Sequence, residues 1–466
     1  MLGRTRQVHL VGIGGIGMSG IAELLVNLGF QVSGSDARPS EITRRLASLG
    51  VHVHDGHDAA QLGEANVVVI TSAARPDNVE IVEARRRGIP VIARAEMLAE
   101  LMRLRKVGIA VGGAHGKTTT TSMVAFMLEQ AGLDPTAVIG GRLSAFGSNA
   151  RLGQGDYMVA EADESDGSFL KLSPVISVIT NVDHEHLDFY GTFERVLDAF
   201  VEFANRVPFD GAVVVGVDDP VLARLIPRMT RRVVTFAADT GPATLTASRV
   251  ISSNGQTSCE VHHQPHHHDA PIRLGTLTLR VPGRHNLRNA LAALAVGLEL
   301  HLPFERIATA LGAFRGAERR LQVLGERRGA LVVDDYGHHP TEIVAVIAAC
   351  REAWDRRLVV VFQPHRYTRT ARLMDGFASA LAQADQLCLL PVYAAGEDPI
   401  AGVTAEALAE RVARDNGRPV HLIDTLEDAP ASVASVVRAG DLVVTLGAGS
   451  VGSLGPRLLS ALEGQA

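Results

Sequence analysis

Residues 111–123 read VGGAHGKTTTTSM. The stretch has the outline of a phosphate-cradling loop, G-x-x-x-x-G-K-[ST], except that counting back from Gly116 puts Val111 where the first glycine belongs. Its setting fits that outline, because the apolar run KVGIAV precedes it and TTTTSMVAFMLEQAG follows with helical character. Lys117 is placed to reach β- and γ-phosphates, and the Thr118 hydroxyl to ligate Mg²⁺. Those roles require Gly116, Lys117 and Thr118, and the missing upstream glycine changes only the shape of the loop. A strand, a glycine loop and a helix in that order begin an α/β unit.

A second loop of the same kind lies upstream. VGIGGIGMSG places Gly12, Gly14 and Gly17 in G-x-G-x-x-G order after a strand and before a helix, with Asp36 ending the next strand. Small residues there let a backbone approach a pyrophosphate that a helix N-terminus attracts. The same physics serves any pyrophosphate-bearing nucleotide, so the motif does not by itself imply nicotinamide; a tight strand-to-helix turn without a ligand is the competing reading.

Short β-branched runs followed by amphipathic stretches repeat along the chain, the pattern of parallel sheets with crossover helices. QVHLVGIG, QVSGSD and ANVVVITSAA read as strands of a first unit that PVIARAEMLAELM closes; DYMVAEAD, PVISVITNVD and GAVVVGVDD belong to a second. Alternating TLTASRVI and GTLTLRVPG predict a small antiparallel sheet. Between them, VHHQPHHHD (261–269) reads as a solvated hairpin loop in preference to a metal site. ALVVDD, RLVVVFQ, QLCLL, VHLID and LVVTLGAG predict a third sheet.

Magnesium beside a triphosphate calls for carboxylates. YMVAEADESDGSF offers Glu161 at a strand end, with Asp163, Glu164 and Asp166 after it, and TNVDHEHLDFYG offers Asp183, His184, His186 and Asp188. Adjacent parallel strands deliver such ends to one crevice, which predicts Glu161 and His186 beside Thr118. In the third unit VVDDYGHHPTE and VVFQPHRYTR bring Asp335, Tyr336, His338, His365, Arg366 and Arg369 to one edge. Two arginines at i and i+3 suit a carboxylate substrate or are solvated at a helix start.

The 466 residues divide into roughly three domains at about 150 residues each. With 46% hydrophobic and 21% charged residues there is material for several cores, and a net charge of −6 offers no basic face for nucleic acid. No 18-residue apolar stretch suggests a membrane span, and the glycine-rich N-terminal run with Glu23 argues against a signal peptide. Cys259, Cys350 and Cys388 are far apart, without a C-x-x-C, which fits buried thiols in a cytoplasmic protein. Lysine occurs only at positions 106, 117 and 171.

GIGGIGMSG, HGKTTTTSM, EADESDGSF, NVDHEHLD, GRHNLRNALAA, DDYGHHPTE and FQPHRYTR occur in the order found in the Mur ligase family, which the chain resembles over its full length, and most closely in the branch that adds alanine. The family uses a short G-[ST]-x-G-K-[ST] loop, which accounts for Val111; Ala114 departs from its usual threonine. The resemblance implies three α/β domains: a Rossmann-like domain (1–104), a central P-loop ATPase-like domain with a small antiparallel sheet (105–319), and a Rossmann-like C-terminal domain (320–466). It also implies ATP-dependent joining of L-alanine to UDP-N-acetylmuramate through an acyl phosphate, with Mg²⁺, by a monomer or homodimer.

By the same resemblance, Gly12, Gly14, Gly15, Gly17, Asp36 and Ser72 hold the UDP-substrate. Gly113, His115, Gly116, Lys117, Thr118 and Thr119 surround the ATP phosphates, with His285, Asn286, Asn289, Arg320 and Asp335 toward the nucleotide. Thr118, Glu161 and His186 ligate metal, Lys117, Glu161 and His186 act in catalysis, and Tyr336, His338, His365, Arg366 and Arg369 orient alanine. No lysine follows Lys171, so the carbamylated lysine of the later-acting branches has no counterpart. A ligase that recycles tripeptide, an NAD-dependent oxidoreductase using the first loop alone, and a non-catalytic nucleotide-binding regulator are the alternatives.

Overall fold

The computed structural model describes residues 5–71, 73–143, 148–239, 241–265 and 270–463. Three sheets account for the strands. The first runs, edge to edge, His52–Asp55, Gln31–Asp36, Gln7–Val11, Val67–Ile70 and Val91–Ala93, all parallel. His52–Asp55 carries no apolar alternation that would announce it, and its side chains are exposed or half-buried at the sheet edge.

The second sheet has ten strands. At its centre Val107–Gly112, the strand that feeds the phosphate loop, lies parallel to Tyr157–Glu161 on one side and Ile176–Ile179 on the other. Those neighbours end in the two acidic segments, so their C-terminal ends open beside the loop. Beyond Tyr157–Glu161 lie Thr136–Leu143 and, antiparallel to it, Ser148–Arg151. Leu245–Ser253, Gln256–His263 and Ile272–Leu279 extend the far edge of this same sheet instead of forming a separate one. Asn254 and Gly255 turn the first pair at φ of 50° and 72°, the left-handed conformation that suits a two-residue hairpin. His262 and His263 close a strand, with His262 Nε2 2.9 Å from Ser248 Oγ; residues 266–269 of the histidine run lie outside the described residues.

In the third sheet five strands are parallel, and Gln322–Arg327 adds an antiparallel edge beside Ala330–Asp335. Side chains alternate between faces along a strand. Val333, Val360, Phe362 and Val444 fill one apolar core, while Val332, Val359, Val361 and Val443 fill another on the opposite face. Burial on both faces explains why these strands read as continuous apolar runs.

The chain divides into two compact units. One comprises the residues up to Ser248, Glu260–Leu277 and Arg288–Phe314; the other comprises Arg249–Cys259, Thr278–Leu287 and the residues from Arg315 onward. Within the first unit the first two sheets share one apolar cluster running from Val8 through Met158 to Phe203. The helix Ile16–Asn27 presses on the strand Ser148–Arg151: a Cβ on Gly20 would stand 3.1 Å from Ala150 Cβ, and Asn149 Nδ2 donates to the Ile16 carbonyl. All three cysteines are buried, and burial pushes the Cys388 thiol up to about 12. Among the described residues no helix is long and apolar enough to cross a membrane.

Phe169 closes the acidic segment after Tyr157–Glu161. It is 1% exposed and packs 5.3 Å from Phe200 and 5.0 Å from Phe203. Phe169→Ala is expected to cost about 3–5 kcal/mol of stability, read as a lowered midpoint of thermal or denaturant unfolding; an unchanged midpoint would contradict this packing.

Candidate active site

Side-chain donors take up the carbonyls of the phosphate loop. Thr180 Oγ1 and Asn181 Nδ2 donate to the His115 carbonyl at 2.6 and 2.9 Å, and the Lys117 ammonium donates to the carbonyls of Gly113 and Ala114 at 2.6 and 3.0 Å. The Ala114 and His115 N–H groups donate to the Asn181 carbonyl and side chain, at 3.1 and 2.8 Å. Gly116 then turns into the helix Lys117–Gln130 at φ 83°, and a Cβ there would lie 2.6 Å from Asn289 Oδ1. The first-turn N–H groups of that helix have no intrahelical acceptor. Asn289 Oδ1 also accepts from Thr120 Oγ1 at 3.1 Å, which locks the helix Arg284–Glu299 against the loop at this point. Thr119 is buried, Thr118 half-buried. Ala114 contributes its backbone only, so the departure at this position leaves the loop's framework complete.

Lys117 also donates to Glu164 Oε1 at 2.8 Å. Burial opposes its charge, but Glu164, Glu161 and Asp163 outweigh burial and hold its pKa above the ordinary lysine value. Glu164 is 2% exposed, and its other oxygen, Oε2, is buried without a hydrogen-bond partner among the described residues. His186, at φ 57°, brings Nε2 to 3.5 Å from Glu164 Oε1 and 3.8 Å from Glu185 Oε2. Burial acts against an imidazolium there, yet Glu164 and Glu185 raise the His186 pKa. Glu164, Glu185 and His186 present ligand atoms within 4.8 Å of one another. Two carboxylates, one with an unpaired buried oxygen, make a donor set that suits a hard divalent cation.

Glu161 adds to the field on Lys117, its Oε2 accepts from the Gly140 N–H at 2.8 Å, and the three-residue group around His186 is completed by Glu164 and Glu185. The sequence offers Glu164 among several carboxylates without singling it out, and does not single out Glu185, because within EADESD and DHEH nothing distinguishes a buried carboxylate from a solvated one. His115 Nε2 is 2.8 Å from Asp183 Oδ2.

The first loop is similarly braced. The N–H groups of Gly12 and Ile13 donate to the Ser35 carbonyl at 2.8 and 3.0 Å, Gly15 N–H donates to the Gly12 carbonyl at 3.2 Å, and Gly14 N–H donates to Asp36 Oδ2 at 2.8 Å. Asp36 therefore braces the loop with a carboxylate oxygen. Beneath it, buried Glu80 accepts from Ser35 Oγ and bonds His9 and His57; burial opposes its charge, and these bonds lower its pKa nonetheless. Gly17 is covered by Arg94, which sequence reading did not single out. Ser72 lies outside the described residues.

His285 and Asn286 belong to the second unit, where Asn286 Nδ2 donates to the Pro282 carbonyl at 2.8 Å. In that unit Asp335 spends both carboxylate oxygens on its own fold: Oδ1 accepts from Gly337 N–H at 2.7 Å and Oδ2 from Leu321 N–H at 2.8 Å. Burial raises its pKa to about 6. Two guanidiniums lie over the Tyr336 ring, Arg319 at 5.0 Å and Arg320 at 5.3 Å from its centre. Arg320 also sits 3.8 Å from Glu342. His338 stands edge-on to Tyr336 at 5.3 Å and 6.1 Å from His365, which stacks on Tyr393. Arg366, at φ 70° and exposed, starts the short helix Tyr367–Arg372, which carries half-buried Arg369. Tyr336, His338 and His365 thus form a chain of neighbouring rings, with Arg369 close enough to depress both histidines electrostatically.

A UDP-N-acetylmuramate–L-alanine ligase of Syntrophotalea carbinolica is 54% identical over 463 residues, 99% of each chain. The chain belongs to the Mur ligase family. Residues 7–106 match the Mur ligase family catalytic domain, 111–297 the Mur ligase middle domain and 319–449 the Mur ligase glutamate ligase domain. A ligase of the same name from Geotalea daltonii is 53% identical, again over 99% of both chains. Among solved structures, the UDP-N-acetylmuramate-alanine ligase of Thermotoga maritima superposes with a TM-score of 0.82 at 29% identity, covering 99% of this chain and all of that one. A murein peptide ligase of Psychrobacter arcticus gives 0.70 at 25%, covering 98% of each.

Burial first, and then Arg369, push both His338 and His365 down to about 4, His338 against the pull of Glu342. Both imidazoles are expected to stay neutral from pH 7 to pH 5, read by NMR of their ring nitrogens; an imidazolium at pH 6 would overturn this. Since the unfolded value is about 6.5, the neutral rings favour the folded state above that pH, and this contribution is lost as pH falls from about 6.5 toward 4.

Proposed function

We propose that this Mur ligase is an ATP-dependent enzyme that joins L-alanine to the lactyl carboxylate of UDP-N-acetylmuramate, in cytoplasmic synthesis of the peptidoglycan precursor. The observation that carries the reading is a charged lysine, Lys117, held by Glu164 inside a phosphate loop, in a chain 54% identical end to end to a ligase of that name.

A carboxylate is a poor electrophile with a poor leaving group. Transfer of the ATP γ-phosphoryl to one of its oxygens gives an acyl phosphate and ADP. The alanine nitrogen then bonds to the acyl carbon, the carbon–oxygen bond to phosphate breaks, and the amine loses a proton. Two anions meet in the first step, so positive charge and N–H groups fixed in advance lower its barrier. Lys117 and the N–H groups at the start of its helix supply them, framed by Gly113, His115, Gly116, Thr118 and Thr119, with Asn289 as a brace.

Mg²⁺, when bound, neutralises phosphate charge and orients the γ-phosphoryl. Glu164, Glu185 and His186 fit it, and the Thr118 hydroxyl and Glu161 complete the residues we assign to metal. The first loop takes the diphosphate of UDP, with Gly12, Gly14, Gly15 and Gly17 giving it room and Asp36 holding its shape. Arg366 and Arg369, beside Tyr336, His338 and His365, take the alanine carboxylate. Asp335 acts on the nucleotide by fixing its own loop. The proposed domains are 1–104, 105–319 and 320–466.

Lys117→Ala is expected to reduce ADP formation at least about a hundredfold while UDP-N-acetylmuramate still binds, as measured by calorimetry. Normal turnover would refute the assignment. With ¹⁸O in the lactyl carboxylate, one labelled oxygen is expected in the released phosphate, detected by mass spectrometry. Unlabelled phosphate would exclude the acyl-phosphate route, and turnover with tripeptide but not free alanine would exclude alanine as the substrate.

A further inference from the structure

We propose that Arg94 binds the diphosphate of the sugar nucleotide and that Asp163, from the acidic segment beside the phosphate loop, competes with the diphosphate for it. The inference rests on the function proposed above and adds a residue through which the two phosphate sites sense each other.

Arg94 opens the helix Arg94–Met102 directly after the last strand of the first sheet. Its side chain lies against Gly17: an added Cβ would meet Nη1 at 2.6 Å and Cδ and Cζ at 3.2 Å. The third glycine of the first loop is therefore bare to make room for a cation. The loop's other N–H groups are already engaged, those of Gly12 and Ile13 by the Ser35 carbonyl, that of Gly14 by Asp36 and that of Gly15 by the Gly12 carbonyl. The first bond within the helix Ile16–Asn27 and its cap is Ser19 N–H to the Gly15 carbonyl. The N–H groups of Ile16, Gly17 and Met18 thus precede the helix's own ladder, on the turn that Arg94 covers. An anion drawn to that turn meets a guanidinium, whose planar fork matches two phosphate oxygens.

Arg94 also reaches across to Asp163, Nη2 to Oδ2 at 3.2 Å, with 24% and 41% of the two side chains exposed. That separation is long beside the 2.7–2.9 Å of a tight charge-assisted bond. The pair is loose enough to exchange partners. Asp163 precedes Glu164, which grips Lys117, and Asp163 adds to the field that keeps Lys117 charged. Positive and negative groups alternate from Arg94 through Asp163 and Lys117 to Glu164. A diphosphate that takes Arg94 leaves Asp163 to the phosphate loop, and by linkage whatever engages Asp163 frees Arg94 for the diphosphate.

Calorimetric titration with UDP-N-acetylmuramate, UDP and uridine tests this on the full-length wild type, Arg94→Gln, Arg94→Lys, Asp163→Asn and the double variant Arg94→Gln/Asp163→Asn. Loss of a charged hydrogen-bond partner predicts that Arg94→Gln weakens UDP at least about tenfold and leaves uridine affinity unchanged, a near-wild-type thermal unfolding midpoint reporting an intact fold. Arg94→Lys should retain part of the affinity. Asp163→Asn should tighten UDP binding several-fold, an effect absent when Arg94 is already Gln. Unchanged UDP affinity in Arg94→Gln, or tightening by Asp163→Asn that persists in the double variant, overturns the proposal alone. Wild-type protein that binds ATP but neither UDP nor the sugar nucleotide overturns the functional reading and this assignment together.

Discussion

A lysine that must stay charged while buried is the constraint around which the first unit is arranged. An ammonium inside a protein loses hydration, and without compensation it gives up its proton. Glu164 reverses that preference for Lys117. The arrangement is costly to break: removing one partner of a buried pair leaves an uncompensated charge, at about 3–5 kcal/mol. The acidic segment must therefore be held as firmly as the loop. Tyr190 donates its hydroxyl to the Glu164 carbonyl at 2.6 Å, and Phe169 seats the segment's end against Phe200 and Phe203. The same carboxylate faces His186 with one oxygen and has the other without a hydrogen-bond partner among the described residues, so one residue serves both the lysine and the cation-suited cluster.

The two glycine loops of this unit are joined mechanically as well as by charge. Asn149, on the second sheet, holds the Ile16 carbonyl in the first turn of the helix that follows the first loop. Its strand pairs with Thr136–Leu143, whose Gly140 N–H anchors Glu161. A continuous run of contacts thus connects the first loop's helix to the strands flanking the phosphate loop. The shared apolar cluster makes independent sliding of the two sheets unfavourable.

Much of this was legible because the informative features are local. Val332, Val360 and Val443 announce strands buried on both faces, and Gly116, Lys117 and Thr118 announce a phosphate loop wherever a strand precedes and a helix follows. What was not legible concerns which way a recognised side chain turns. Asp36 and Asp335 read as strand-end carboxylates facing nucleotides; in the fold Asp36 also accepts from the Gly14 N–H of the first glycine loop, and Asp335 from the N–H groups of Gly337 and Leu321. A strand end offers a carboxylate two sets of donors, the ligand's and the loop's, and spacing alone cannot separate them. Arg94 was missed for a related reason: its partner Gly17 is remote in sequence, and an arginine at a helix start is ordinarily solvated.

The second unit solves a charge problem of the opposite kind. Recognition of a small zwitterion by arginines fails if nearby histidines become cations, because the ligand's ammonium would then meet further positive charge. Burial prevents this for His338 and His365, both held near 4 with Arg369 adding its repulsion. Cationic charge is thereby left to the guanidiniums, whose planar forks suit a carboxylate. Asp335, on the acidic side, is raised to about 6 by burial and directs its two oxygens to the N–H groups of Gly337 and Leu321, so its carboxyl is engaged within its own unit. On the assignment proposed above, the fixed charges of the arginines and the shape set by Tyr336 decide what binds, while His338 and His365 stay neutral.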